Sequence, residues 1–257
     1  MKILNQPVSS MYLWTIALIS ILVVISSFTL RTFPVALVAA VLLSGIFEIL
    51  IRKFYLKHPF KIPWSGIITG LVVGAVAPIN ASLALVLIAA IIAVLSKFFI
   101  QYRSSNIFNP ATLGLIVALP LFDLGDEWWV ASNYNMFGIA ITLTPILIIL
   151  AYEAKRLPTA LSFVGISLIS ALALGGLQAI SSVSVLAIIF GVNYFFAFVM
   201  LIEPKTSPND KYVQMVYGGA IALLYLVFTY LHEAYPLLIV LLVGNISYLV
   251  YRKYGKH

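Results

Sequence analysis

The sequence predicts an all-α polytopic membrane protein of about ten transmembrane helices, arranged as two inverted five-helix repeats. Composition, the side-to-side distribution of basic residues and prolines at a shared offset predict it. Of 257 residues, 63% are hydrophobic and 9% charged, with a mean hydropathy of +1.10. A soluble domain carries charge on roughly a quarter of its residues, so this chain has too little polar side chain to coat a globule. A water-soluble enzyme, a nucleic-acid module and a disordered linker are excluded together. The net charge of +7 does not imply a nucleic-acid partner, because the bases lie between apolar runs, where membrane orientation explains them. The absence of cysteine excludes disulfides, thiolate metal sites and cysteine-ligated iron–sulfur clusters.

A hydrocarbon core of about 30 Å needs roughly 20 helical residues at about 1.5 Å each. On that measure ten segments are expected, over 11–30, 33–51, 62–78, 82–100, 110–122, 137–152, 159–178, 183–202, 213–231 and 236–251. The first is too long, and too lightly basic at its start, to be a simple cleavable signal peptide. The third is short and glycine-rich, and the fifth has barely a dozen apolar residues after Asn109-Pro110. With the N-terminus in the cytoplasm, 14 of the 15 bases fall on that side and Arg31 alone lies outside. That asymmetry is the one expected when Lys and Arg are retained in the cytoplasm. The expectation is a multi-pass protein of the cell (inner) membrane with both termini cytoplasmic. Trp14, Trp64, Trp128 and Trp129 all fall near predicted span ends, where an indole sits well at headgroup level.

The repeat rests on position. Pro78 and Pro204, and Pro110 and Pro236, are both 126 residues apart, and Pro34 and Pro158 are 124 apart. All three pairs fall at matching points of a five-plus-five division. The whole chain, 1–257, reads as one integral membrane domain, with repeat one at about 11–122 and repeat two at about 137–251. Five spans per half would insert the halves in opposite senses, and such repeats place a binding site between short or interrupted helices. A helix that stops at depth leaves backbone groups that protein, cavity water or ligand must meet. The third and fifth spans, with the eighth and tenth, are therefore the expected site. Gly66, Gly70 and Gly74 form a small-residue face, whose plainer use is close helix packing and whose second use is contact with a ligand.

The most informative stretch is Ser104-Ser105-Asn106-Ile107-Phe108-Asn109-Pro110-Ala111-Thr112-Leu113-Gly114. It reads as a polar loop turning into a helix, with Asn109 in a good capping position and Pro110 in the first turn. Asn106 and Asn109 flank Phe108, a set of amides and an aromatic face that suits a flat heterocycle and equally suits a capped loop. The Asn-Ile-Phe-Asn-Pro-Ala run resembles the motif of the membrane flavin subunits of the sodium-pumping NADH:quinone reductase and Rnf complexes (the NqrB/RnfD family). Phe195-Phe196-Ala197-Phe198-Val199-Met200-Leu201-Ile202-Glu203-Pro204-Lys205-Thr206-Ser207-Pro208 is similar to that family's aromatic span closed by an acid, Pro and Thr-Ser-Pro, with Glu203 where Asp is usual. The two stretches cover about 25 residues, and the order of spans extends the resemblance over most of the chain.

The resemblance implies a short, divergent family member with a urea-channel-like helical fold, acting as a flavin-bearing electron-transport subunit beside other subunits of a redox complex. Carried onto this sequence, it implies a flavin (riboflavin or FMN) held by Asn106, Phe108, Asn109, Pro110, Thr112, Gly114, Glu203, Pro204, Thr206 and Ser207. The family's FMN is esterified to a threonine in the outside region after the fifth span. The equivalent residues here, 122–133, contain no threonine and three acids, so covalent FMN is not expected and a retained flavin would be non-covalent.

Glu48 is the one acid within a span. An ion pair with Arg52, four residues on, is its plainer role and an ion pathway the sharper one. Asn193 and Asn245 either line a cavity or, more plainly, hydrogen-bond across helices. His58, His232 and His257 are too dispersed for a metal cluster. Asp123, Asp126 and Glu127 read as a solvated loop, or as a vestibule that attracts cations. No nucleophile–base array, phosphate loop or carboxylate pair can be assembled, so self-contained catalysis is not expected and the chain is at most a redox-complex subunit. The alternative function is a transporter or channel for a small polar solute on the same scaffold.

Overall fold

A computed structural model of the chain describes residues 10–132, 137–175, 189 and 191–255. It is helical apart from one two-stranded hairpin, and divides into two compact units, Met1–Ser132 and Asn133–His257. Five helices among the described residues are long and apolar enough to cross a bilayer: Ser10–Leu30, Val35–Tyr55, Leu157–Leu174, Lys211–Tyr230 and Pro236–Tyr254. With so few charges on so many apolar helices, this is a membrane protein in contact with lipid.

The first unit holds α1 (Ser10–Leu30), α2 (Val35–Leu50), α3 (Trp64–Val76), α4 (Leu83–Phe99), α5 (Pro110–Leu121) and a single turn, α6 (Trp129–Ser132). α1 buries one stripe, Thr15, Leu18, Ile19, Leu22 and Ser26, at helical spacing. α2 buries Ala36, Leu37, Ala40, Ser44 and Glu48, and continues as a π-helical turn over Ile51–Tyr55. α3 is buried on all sides from Thr69 to Val76 and touches every other helix of the unit.

The glycine face of α3 is consumed by packing. A methyl group on Gly70 would stand 2.5 Å from the Ala40 carbonyl oxygen and 2.5 Å from Val41 Cα, and one on Gly74 would stand 2.5 Å from Leu37 Cα. These are backbone atoms of α2, so the two helices touch main chain to main chain. Gly114 does the same for α5 against the Ala89 carbonyl of α4.

The second unit holds α7 (Phe137–Glu153), α8 (Leu157–Gly175), a π-helical turn at Phe196–Met200, α9 (Lys211–Tyr230) and α10 (Pro236–Tyr254). α8 packs on α9, where a side chain on Gly218 would strike the Thr159 carbonyl. Phe163 of α8 meets Phe196 at a ring distance of 5.2 Å. Residues 183–188 and 190 of the expected eighth span, and 176–178 at the end of the seventh, lie outside the described residues.

Two of the three proline pairs stand at helix starts. Pro110 and Pro236 each open a helix. Pro34 caps α2, while Pro158 stands in the first turn of α8. Pro is favoured at such starts because its missing N–H would have no intrahelical partner there.

Candidate functional site

In the first unit, the stretch expected as a plain loop begins as a hairpin. β1 (Gln101–Tyr102) pairs antiparallel with β2 (Ser105–Asn106). The two-residue turn puts Arg103 and Ser104 at φ of 48° and 62°, the left-handed pair that a tight hairpin needs. Two consecutive non-glycine residues there are unusual. The Ile107 N–H donates to the Ile100 carbonyl at 3.2 Å and extends the ladder, delivering the chain to α5.

Asn106 and Asn109 are 3% and 6% exposed. Asn109 caps α5: its Oδ1 accepts from the Thr112 N–H at 3.1 Å and the Thr112 hydroxyl at 3.2 Å. Capping is therefore what Asn109 and Thr112 do for the fold, and Pro110 and Gly114 serve helix start and helix packing. Phe108 remains half-buried and offers an aromatic face.

The second unit builds its stretch around Arg156, which sequence reasoning missed as anything but a topological charge. This buried side chain donates from Nε to Ser207 Oγ at 2.9 Å, from one terminal nitrogen to the Ala154 and Lys155 carbonyls, and from the other to the Pro204 carbonyl and Asn209 Oδ1. Burial lowers its pKa from the usual arginine value. The Ser207 hydroxyl in turn donates to the Glu203 carbonyl at 2.7 Å, and Asn245 Nδ2 donates to the Thr206 carbonyl at 3.3 Å. The turn over 203–209 is thus held through its carbonyls, with Thr206 and Ser207 buried and Glu203 and Pro204 partly exposed. Asn245 has the cross-helix role that was its plainer reading. Asn193 caps the π-helical turn, accepting from the Phe196 N–H at 2.8 Å, and also lines a cavity of about 200 Å³ with Phe163, Ser167 and Tyr225.

Glu48 is buried within the first unit. Its helix runs on through the π-helical turn to Tyr55, and the carboxylate is 1% exposed. The Arg52 pair exists, at 2.8 Å. A second cation, Lys97 of α4, binds the other carboxylate oxygen at 2.9 Å and donates to Thr69 Oγ1 of α3 at 3.2 Å. One carboxylate between two cations ties three helices together. Its one sequence signal was the apolar run Phe98-Phe99-Ile100 beyond Lys97, which places that lysine inside a helix and not after it.

The end of α3, expected as a ligand-facing terminus, is closed by protein. The Val76 carbonyl accepts from the Glu127 N–H at 2.9 Å, and the Gly74 carbonyl accepts from Trp129 Nε1 at 2.8 Å. The Glu127 carboxylate accepts from the Ile79 N–H, and Asp126 accepts from Trp128 Nε1 at 2.7 Å. The acidic segment is a loop with Asp123 and Glu127 exposed that also caps the end of α3, and Trp129 is buried against that end. Burial raises the Asp126 pKa above the ordinary carboxylate value, with the Trp128 hydrogen bond opposing it. Among the described residues no group of His, Asp and Glu could hold a metal ion; His257 lies outside them.

Against a flavin, these residues fit in part. Phe108, Glu203 and Pro204 have surface to offer, while Asn109, Thr112, Gly114, Thr206 and Ser207 already serve the fold. The two stretches lie in separate units. No family model matches the chain, and no curated protein matches it.

Proposed function

We propose that this chain is an integral membrane subunit of an ion-translocating electron transport complex of the NqrB/RnfD kind, working beside other subunits and holding a non-covalent flavin. In this reading ten spans form two inverted repeats in the cell membrane, with both termini cytoplasmic. The observation that carries it is the Asn106–Gly114 stretch: two buried amides flank an aromatic ring where a twelve-residue helix begins. The division into units between residues 132 and 133 and the like placement of Pro110 and Pro236 at helix starts support the repeat.

The flavin ring would supply the electron chemistry, and the protein would supply position and electrostatics. Phe108 would give the ring an apolar face, and Asn106 an amide edge. Glu203 and Pro204 would border the second stretch. Residues 122–133 carry three acids, which would repel a phosphate, and no threonine; both argue against a covalent phosphoester there.

Purified protein should show flavin absorbance, or acquire it when riboflavin or FMN is added, and alanine at Asn106 should lower the occupancy. Protein that stays colourless after flavin is added overturns the reading. The missing threonine favours a second reading, a channel or transporter for a small polar solute, which predicts uptake in proteoliposomes without a redox partner.

A further inference from the structure

We propose that the segment after α2, residues 52–61, is a binding surface for anionic phospholipid headgroups at one face of the bilayer. The chain has no Asp or Glu between Glu48 and Asp123, while Arg52, Lys53, Lys57 and Lys61 crowd into ten residues. Residues 53–61 are all exposed. Among the lysines stand Phe54, Tyr55 and Phe60, at 69%, 65% and 50% exposure. Lys57 has a left-handed backbone, φ 54°, which turns the chain away from the helix axis.

Helix geometry favours lipid over a soluble acidic protein as the occupant. Val35, Val38, Leu42, Ile46, Leu50 and Phe54 are exposed along α2 and its π-helical turn at spacings of three or four, one continuous apolar stripe. From Val35 to Phe54 it rises about 28 Å, close to the thickness of a hydrocarbon core. The lysines thus begin where the stripe has run one bilayer core in length, at headgroup depth. Their methylene stems can lie against acyl chains while the ammonium groups reach phosphate, and the aromatic rings suit the same layer. Tyr55 is braced by Phe99, with ring centroids 5.2 Å apart. Arg52 belongs partly to the Glu48 pair, so Lys53, Lys57 and Lys61 carry the surface.

Each basic residue near an anionic membrane surface contributes a factor of about five, so three together give on the order of 100-fold. The test uses the full chain in phosphatidylcholine–phosphatidylglycerol vesicles, with a trace of spin-labelled phosphatidylglycerol or spin-labelled phosphatidylcholine. The motionally restricted fraction of each label measures which lipid the protein holds at its edge. The wild type should hold phosphatidylglycerol in preference to phosphatidylcholine, and high salt should weaken that preference. The triple variant Lys53→Gln, Lys57→Gln, Lys61→Gln should lose most of it. A charge-matched control, Arg103→Gln with Arg252→Gln and Lys253→Gln, should keep it. The substituted lysines are exposed, and an unchanged thermal unfolding midpoint confirms that the variant is folded. A wild type with no preference, or a triple variant that keeps it, overturns the proposal. So does a triple variant that keeps its lipid preference but loses affinity for a soluble acidic protein, which would mark the surface as a protein dock.

Discussion

Removing the Glu48 carboxylate should be among the most damaging single changes in the first unit, and removing Lys97 with it should undo much of the damage. Glu48 is 1% exposed and neutralises two cations, Arg52 at 2.8 Å and Lys97 at 2.9 Å. Glu48→Leu leaves the Lys97 ammonium in the helix bundle without its carboxylate. Breaking a buried pair from one side costs about 3–5 kcal/mol, and Lys97 dominates that cost because the Arg52 side chain is one-third exposed and can turn to water. Lys97→Met is milder, about 1.5–3 kcal/mol, since Glu48 loses one charge-assisted bond and keeps Arg52. In the double variant Glu48→Leu/Lys97→Met, an apolar pair replaces the ionic one, a change often neutral or stabilising. The double variant should therefore be more stable than Glu48→Leu alone, and a near-neutral double variant corresponds to a coupling of about 4.5 kcal/mol or more, the two single costs taken at their lower ends. Unfolding in mixed detergent micelles titrated with dodecyl sulfate, followed by far-ultraviolet circular dichroism, measures all four proteins. Single variants that each cost under about 1 kcal/mol and combine additively would refute the reasoning.

Three further outcomes follow from the packing and the caps. Gly70→Ala should destabilise by about 1–3 kcal/mol through overpacking, because its methyl meets the α2 backbone, whereas Gly125→Ala, with nothing within 4 Å, should fall within about 0.5 kcal/mol of wild type; the same titration compares them. Asn109→Ala should cost about 0.5–2 kcal/mol by uncapping α5, and Asn109→Ser, which keeps an acceptor for the Thr112 N–H, should recover most of it. Asp126 has a folded pKa above its ordinary 3.8. The folded state therefore holds this proton more tightly than the unfolded state does. Its contribution is most favourable below the ordinary value, declines as pH rises to the folded value, and is flat above. Asp126→Asn, which keeps an acceptor for Trp128, should remove that decline, visible as a flatter unfolding midpoint across the acidic range.

Whatever is local was legible in the sequence. The Asn109-Pro110 helix start needed only adjacent residues, and the four-residue glycine spacing of α3 announced a close helix contact before any partner was known. Helix ends fell within a few residues of expectation because hydropathy changes sharply at Arg31, Lys61 and Lys211. Contacts between distant residues were invisible. Lys97 lies 49 residues from Glu48, and Ser207 lies 51 from Arg156. Trp129 reaches back 55 residues to Gly74. Pattern within a helix predicts which face is buried and is silent on which polar group waits on the next helix. The hairpin at 101–106 escaped for another reason. Its strands are two residues long, and its turn is Arg-Ser where Asn-Gly is the usual signal.

The meeting of α2 and α3 has a consequence for permeation. At Gly70 the nearest atoms are all α2 backbone, and at Gly66 and Gly74 the Glu48 and Leu37 side chains lie directly against α3 beside the backbone, so the pair forms a wall with no open groove along this face. Water or an ion crossing this half of the molecule would need another seam. The α4–α5 contact is closed in the same way at Gly114, so a path through this unit would have to run outside both glycine seams.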